Sequence, residues 1–253
     1  GCFDVGVALN NVHGGLNLQG NTDGQRWSAV GEIDLDSAIW QGVQLTQVRG
    51  PILMDQSGVR FGAMTVSDGM TPRRLSAKVA GGKIEVDGMA SSSGLGGFTV
   101  AATLTDADLE RLVCDSHGSP HRSKGRVFGS VEMSGTRAGT HSFRGHGQLR
   151  IRDADVYELP LVVAMLKMLR VKSPDLNAFG SSFIQFRIAG PHAYLDEIEL
   201  AGDAISLVGN GEVGFDGNVQ MTFRSIMGDA EEQLPAMKRM LGGASGQFLP
   251  VSY

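Results

Sequence analysis

Little in this chain advertises chemistry. It holds two cysteines, Cys2 and Cys114, which excludes a disulfide framework; the expected reading is two unpaired small hydrophobes, although one bridge could form in an oxidising compartment. Eight prolines against 36 glycines, with no three-residue period, exclude collagen, and glycines set among apolar segments argue against disorder. A net charge of −5 and a pI near 5.7 weigh against a dedicated nucleic-acid binder. Aromatic residues make up 6% of the chain, and Trp27 and Trp40 stand far from its clearest repeats, which disfavours a sugar-binding cleft. Its longest helix-like apolar run, Glu158 to Val171, falls far short of the roughly 20 residues a bilayer span requires.

Catalytic signatures are missing as well. There is no Gly-x-Ser-x-Gly elbow, and glycine-rich pieces such as Gly94 to Gly97 lack the Lys-Ser or Lys-Thr of a phosphate-cradling loop. Asp153 with Asp155, and Asp196 with Glu197, read as strand-end and surface charges. His117 and His121 have the spacing of a helical metal pair, but Gly118, Ser119 and Pro120 lie between them and no third ligand is evident. The expectation is a non-enzymatic protein with no metal and no cofactor. The N-terminal residues lack the charged and apolar regions of a signal peptide. With no initiating Met and a strand-like start, the chain reads as a fragment of a longer protein.

What is abundant is one pattern, a glycine followed by strict polar and apolar alternation. It occurs at Gly31 to Asp36, Gly82 to Asp87, Gly129 to Ser134, Gly147 to Arg152 and Gly211 to Asp216. A period of two places Ile33 with Leu35, Ile84 with Val86, Val131 with Met133, Leu149 with Ile151, and Val213 with Phe215 on one side of their strands. The opposite side is mostly charged. Stacking such strands produces a long surface with one apolar and one solvated side.

Along residues 3–67 the pattern predicts a meander of short strands, among them Val43 to Leu45, Ile52 to Met54 and Val59 to Ala63, separated by turn residues. Further strands are expected at Leu75 to Val79, Lys83 to Val86 and Phe98 to Leu104. Thr105 to Val113 reads as a short helix capped by Thr105 or Asp106, and Asp115 to Gly125 as a boundary. After strands at Arg126 to Met133 and Ser142 to Arg152, an apolar helix is expected near 158–171, opened by Pro160. Strands follow around Ile184, from Tyr194 to Leu200 and from Ile205 to Val208. Asp216-Gly217-Asn218 reads as a tight turn into Val219 to Arg224, and a last amphipathic helix is expected near 229–241. The division is thus 1–115, β-meander repeats ending in a short helix, and 126–253.

The second part resembles the C-terminal region of AsmA-like envelope proteins. The resemblance is carried in order by Gly147 to Val156, by the helix-like Leu159 to Leu169, by Phe183 to Ile188 and by Leu207 to Asp216. It implies a mainly β fold, a long curled antiparallel sheet forming a β-groove or open barrel with a few short covering helices. It also implies a periplasmic location with an inner-membrane anchor outside this sequence, and phospholipid acyl chains as partners, carried between inner and outer membranes in support of outer-membrane assembly and maintenance. The residues expected to line the groove are Leu149, Ile151, Ile184, Phe186, Ile188, Ile198, Leu200, Val213, Phe215, Val219, Met221 and Phe223.

Two further readings belong beside this one. Alternation is identical in an open groove and in a closed, filled core, so the apolar face alone does not separate them. A structural or adhesive β-repeat protein without lipid cargo is the alternative function; it requires coils of near-constant length, whereas the glycine motifs recur irregularly. The segment His117 to Arg152, with Arg122, Lys124, Arg126, Arg137, Arg144, Arg150 and Arg152 against Glu132, reads as a solvated outer face or as a patch for acidic headgroups.

Overall fold

The computed structural model describes residues 3–4, 8–40, 42–65, 72–112, 124–153, 180–202 and 205–227. Its core element is one antiparallel sheet of 14 strands. The first half holds β1 (Phe3–Asp4), β2 (Ala8–Thr22), β3 (Trp27–Trp40), β4 (Val43–Asp55), β5 (Gly58–Phe61), β6 (Leu75–Val79), β7 (Gly82–Ser91) and β8 (Phe98–Asp108). The second half holds β9 (Arg126–Gly135), β10 (Arg144–Arg152), β11 (Ser181–Ala189), β12 (His192–Ala201), β13 (Ile205–Gly214) and β14 (Val219–Met227). Pairing follows chain order, and among the described residues β14 pairs only with β13, so the sheet is open. β8 pairs with β9 from Phe98 and Gly135 to Asp108 and Arg126, which carries the sheet across the boundary expected at 115–125.

Strands in the first part are longer than the sequence predicts. Val43 to Leu45 and Ile52 to Met54 belong to one strand of 13 residues, and β2 runs for 15. The turn-like residues between the apolar pieces are absorbed as irregularities within strands: Asn11 (φ 49) lies where the β2–β3 register slips, and Gln47 (φ 52) where the β4–β6 register slips. A bulge takes up an extra residue without ending the ladder.

The helix expected over Thr105 to Val113 is strand in its first half, as far as Asp108, and helical over residues 109–112. β8 continues through a bulge at Asp106 (φ 58), whose carboxylate accepts the Arg126 Nε–H at 2.7 Å. The cap of residues 109–112 is Asp108, which accepts the Arg111 N–H at 3.0 Å. In the second part, β10 starts at Arg144 because Thr140–Ser142 forms a 3-10 turn, and Phe215 falls in the turn after β13 rather than in the strand. The helices expected near 158–171 and 229–241, with Cys2, Cys114, His117 and His121, lie outside the described residues.

β5 and β6 occupy a single place between β4 and β7, interrupted by an excursion that begins with the 3-10 turn Gly62–Thr65. Asp87 anchors both ends of it. Its buried carboxylate accepts the Ala63 N–H at 2.6 Å and pairs with Arg74 Nε at 3.2 Å.

Antiparallel order sorts the connections into two ends. One end carries most of the tight turns: 23–26, 56–57, 92–97, 136–143, 190–191 and 215–218. The other carries the tight turn 80–81 and the long connections after β8 and β10. A buried cluster of Ala107, Leu109, Val127, Ile151, Ile198, Leu200 and Leu207 sits at this second end, and a smaller one of Leu35, Ala38, Val48 and Ala77 lies in the first part. At the turn end, Phe98 meets Phe143 at 5.5 Å between ring centroids, and Phe143 meets Phe215 at 6.3 Å. Three strand spacings separate β10 from β13, about 14 Å in a flat sheet. Ring contact across that span draws the connections before β10 and after β13 together at this end.

Candidate functional site: an apolar face across the whole sheet

Cross-strand register converts the local alternation into rows. One row runs Leu18, Gly31, Ile52, Phe61, Gly88, Val100, Met133, Gly145, Ile188, Ala193, Val213 and Val219, each paired with the next. A second runs Leu75, Val86, Ala102, Val131, Gly147, Phe186, Leu195, Gly211 and Met221. A third runs Ala77, Ile84, Leu104, Gly129, Leu149, Ile184, Ile198, Gly209 and Phe223. None of the three contains a polar side chain. With strands about 4.8 Å apart, the first row spans roughly 50 Å, and three rows cover about 14 Å along each strand.

The motif glycines lie on this face with the apolar residues that follow them. They are sites of close approach. A Cβ at the motif glycine Gly147 would stand 2.5 Å from Phe186 Cζ and one at Gly211 2.7 Å from Met221 Cγ; two further glycines of the same face behave alike, Gly88 at 2.5 Å from Phe61 Cζ and Gly209 at 2.5 Å from Phe223 Cδ1. In each pair the large side chain lies across the glycine of the neighbouring strand. The face is therefore a low floor, since these side chains recline instead of projecting.

Eleven of the twelve residues expected to line a groove lie on this face; the exception, Phe215, follows the strand and stacks at the turn end. Ile198 and Leu200 reach it only because β12 bulges between Leu195 and Ile198, which restores their parity after Asp196 and Glu197. Burial then divides the set. Ile151, Ile198 and Leu200 are buried in the cluster at the long-connection end. Leu149, Ile184, Phe186, Ile188, Val213, Met221 and Phe223 are half-buried, and Phe215 and Val219 are exposed, Val219 at 51%. Apolar exposure thus increases toward the tight turns. Leu16 and Leu18 on β2 continue the same exposed face at the opposite edge of the sheet.

The other face is mostly polar, with a buried patch at Phe183 and Glu199 and ion pairs over much of the rest. Asp34 pairs with Arg49 at 2.9 Å, Arg187 with Asp196 at 3.0 Å, and the Arg187 guanidinium lies 4.2 Å from the Tyr194 ring centroid. Arg126, which the sequence groups with a basic patch, is taken up by Asp106. These pairs are exposed and contribute at most about 1 kcal/mol each. Burial pulls the Arg150 guanidinium below its ordinary value, and the neighbouring Arg152 charge adds to this.

Three turn carboxylates hold the other end in shape. Asp216 accepts the Asn218 N–H at 3.1 Å, Asp23 accepts the Arg26 N–H at 2.6 Å and the Gln25 N–H at 2.9 Å, and Asp55 accepts from the Ser57 hydroxyl and pairs with Arg60. These hydrogen bonds hold all three below the usual carboxylate range. A folded pKa below the unfolded one, about 3.9, means the folded state binds fewer protons, so the stabilisation is present above that value and is lost as pH falls through the folded pKa. The melting temperature is expected to hold between about pH 7 and 5 and to drop below about pH 4. A variant with Asp23→Asn and Asp216→Asn should lose less on acidification; a wild-type melt unchanged to about pH 3 contradicts the assignment.

Among the described residues, no group of three or more His, Cys, Asp or Glu could hold a metal ion, and no helix is long and apolar enough to cross a membrane. Two open depressions among the described residues, about 450 and 620 Å³, lie around Asn210 and Arg224 and around Asp23 and Trp27. The apolar floor, rather than a cleft, is the distinguishing surface. No family model, no curated protein and no solved structure matches the chain.

Proposed function

We propose that this chain is a non-enzymatic section of a periplasmic envelope protein, and that its apolar face holds phospholipid acyl chains and passes them along the sheet between the inner and outer membranes. The supporting observation is the three adjoining rows free of polar side chains, running strand after strand and left partly open toward the tight turns. An acyl chain is the ligand such a surface suits. It brings no hydrogen-bonding group, so none is left unpaired on a floor that offers no partner. Each methylene withdrawn from water contributes about 0.8 kcal/mol wherever along the row it lies. Uniformity across strands therefore favours movement over fixed binding. A headgroup stays in water beyond the rim. The resemblance of residues 147–216 to AsmA-like C-terminal regions supports the same reading.

The test is native mass spectrometry of the chain purified without detergent from a host with a bacterial envelope, followed by lipid extraction. Wild type should carry phospholipid. Phe186→Asp and Val213→Asp, placed on half-buried floor positions, should fold and arrive lipid-free. Lipid-free wild type with a cooperative melt, or variants that retain the lipid, would overturn the proposal.

A further inference from the structure

The tight-turn end is more than a set of hairpins. Four of its turns are knitted together: the Arg137 N–H donates to the Leu95 carbonyl at 3.0 Å, the Gly190 N–H to Phe143 at 2.8 Å, and the Phe215 N–H to Pro191 at 2.9 Å. Phe98, Phe143 and Phe215 link the same turns through ring contacts. In a chain poor in aromatics, these three rings line the lip of the apolar floor. Leu95 stands beyond them at 71% exposure, the most exposed large apolar side chain among the described residues, and Phe215 is exposed at 46%. The loop between β9 and β10, with the first residue of β10, adds positive charge from Arg137 and Arg144, with no acid from Thr136 to His146. Arg137 and Arg144 are exposed and form no ion pair among the described residues.

From this we infer that the tight-turn end docks on the surface of an anionic phospholipid bilayer, making it the mouth through which acyl chains reach the floor. Aromatic rings and a protruding leucine suit the boundary between headgroups and acyl chains, where an amphipathic or apolar tip is withdrawn from water. Unpaired arginines beside them match phosphate and the negative surface potential. Most of the described apolar side chains at the opposite end are buried, in the cluster around Ile151, Leu200 and Leu207. Turn carboxylates Asp23, Asp55 and Asp216 oppose an anionic surface, but each is engaged by its own turn. The role as an entry mouth rests on the groove reading; the docking does not.

Vesicle flotation with the whole chain separates the two. Wild type should float with phosphatidylcholine vesicles containing a phosphatidylglycerol minority, less with phosphatidylcholine alone, and less in high salt. Leu95→Asp, and the pair Arg137→Glu with Arg144→Glu, should each lower partitioning about tenfold or more, while keeping the wild-type melt and the binding of a dispersed short-chain phosphatidylcholine measured by native mass spectrometry. Phe186→Asp should do the reverse, floating but binding no short-chain lipid. Flotation with no short-chain binding in wild type would leave the docking standing and remove the groove reading. Wild type that fails to float, variants that float like wild type, or a wild-type dimer that Leu95→Asp dissociates would each overturn the docking; the last makes the patch a self-interface.

Discussion

Replacing Ile151 by Asp is expected to unfold the protein, whereas the same change at Val219 leaves it folded. Both residues lie on the apolar face. Ile151 pairs with Val127 and Ser182, is 6% exposed, and belongs to the cluster with Ala107, Leu200 and Leu207. Deleting such a side chain costs about 2–5 kcal/mol by itself, and a carboxylate in its place must also be desolvated or protonated. The sum, at least about 4 kcal/mol, is a large part of a net stability of about 5–15 kcal/mol. At exposed Val219 a carboxylate keeps its water, and the expected loss is the strand preference of Val, about 1 kcal/mol or less. Urea unfolding of both variants decides the matter. An Ile151→Asp protein within about 1 kcal/mol of wild type would show that the long-connection end is not packed as described.

The second large effect concerns a single methyl group. Gly147→Ala should destabilise by about 1–3 kcal/mol or more, because the new Cβ would meet the Ser130 carbonyl oxygen and the Phe186 ring, both at 2.5 Å, and neither a strand backbone nor a ring held across that glycine yields freely. Gly15→Ala is the matched control. No heavy atom lies within 4 Å of its Cβ, so the substitution should be neutral or stabilise by up to about 1 kcal/mol through the unfolded chain. Denaturant midpoints of the two variants measure this. Equal midpoints would remove close strand approach as the reason for the glycine repeats.

Much of the sheet is legible in the sequence because alternation is a local property. Ile84 with Val86, Phe98 through Leu104 and the Asp216-Gly217-Asn218 turn, where the Gly214 N–H donates to the Asn218 carbonyl at 2.7 Å, stand where the pattern puts them. Strand length is not local. Asn11 and Gln47 have left-handed backbones, yet they are carried inside long strands because pairing on the flanks outweighs one left-handed residue. Thr105 to Val113 has acids and leucines at helical spacing, but pairing with β7 and β9 holds its first part extended as far as Asp108. The site was legible in parity and illegible in depth. Nothing in the spelling distinguishes Ile151 from Ile188; one faces the buried end and the other does not. The glycine-to-aromatic pairing was also hidden. Its one sequence signal is that the motif glycine shares parity with the apolar positions after it.

Photo-crosslinking tests the central claim most directly. A phospholipid with a photoactivatable group on its acyl chain, loaded onto the whole protein and mapped by peptide mass spectrometry, should label the floor at residues such as Phe186, Ile188, Val213 and Met221, with little label at Arg187, Asp196 or Thr222 on the opposite face. Label spread over both faces, or confined to the polar one, would contradict an apolar floor that carries acyl chains.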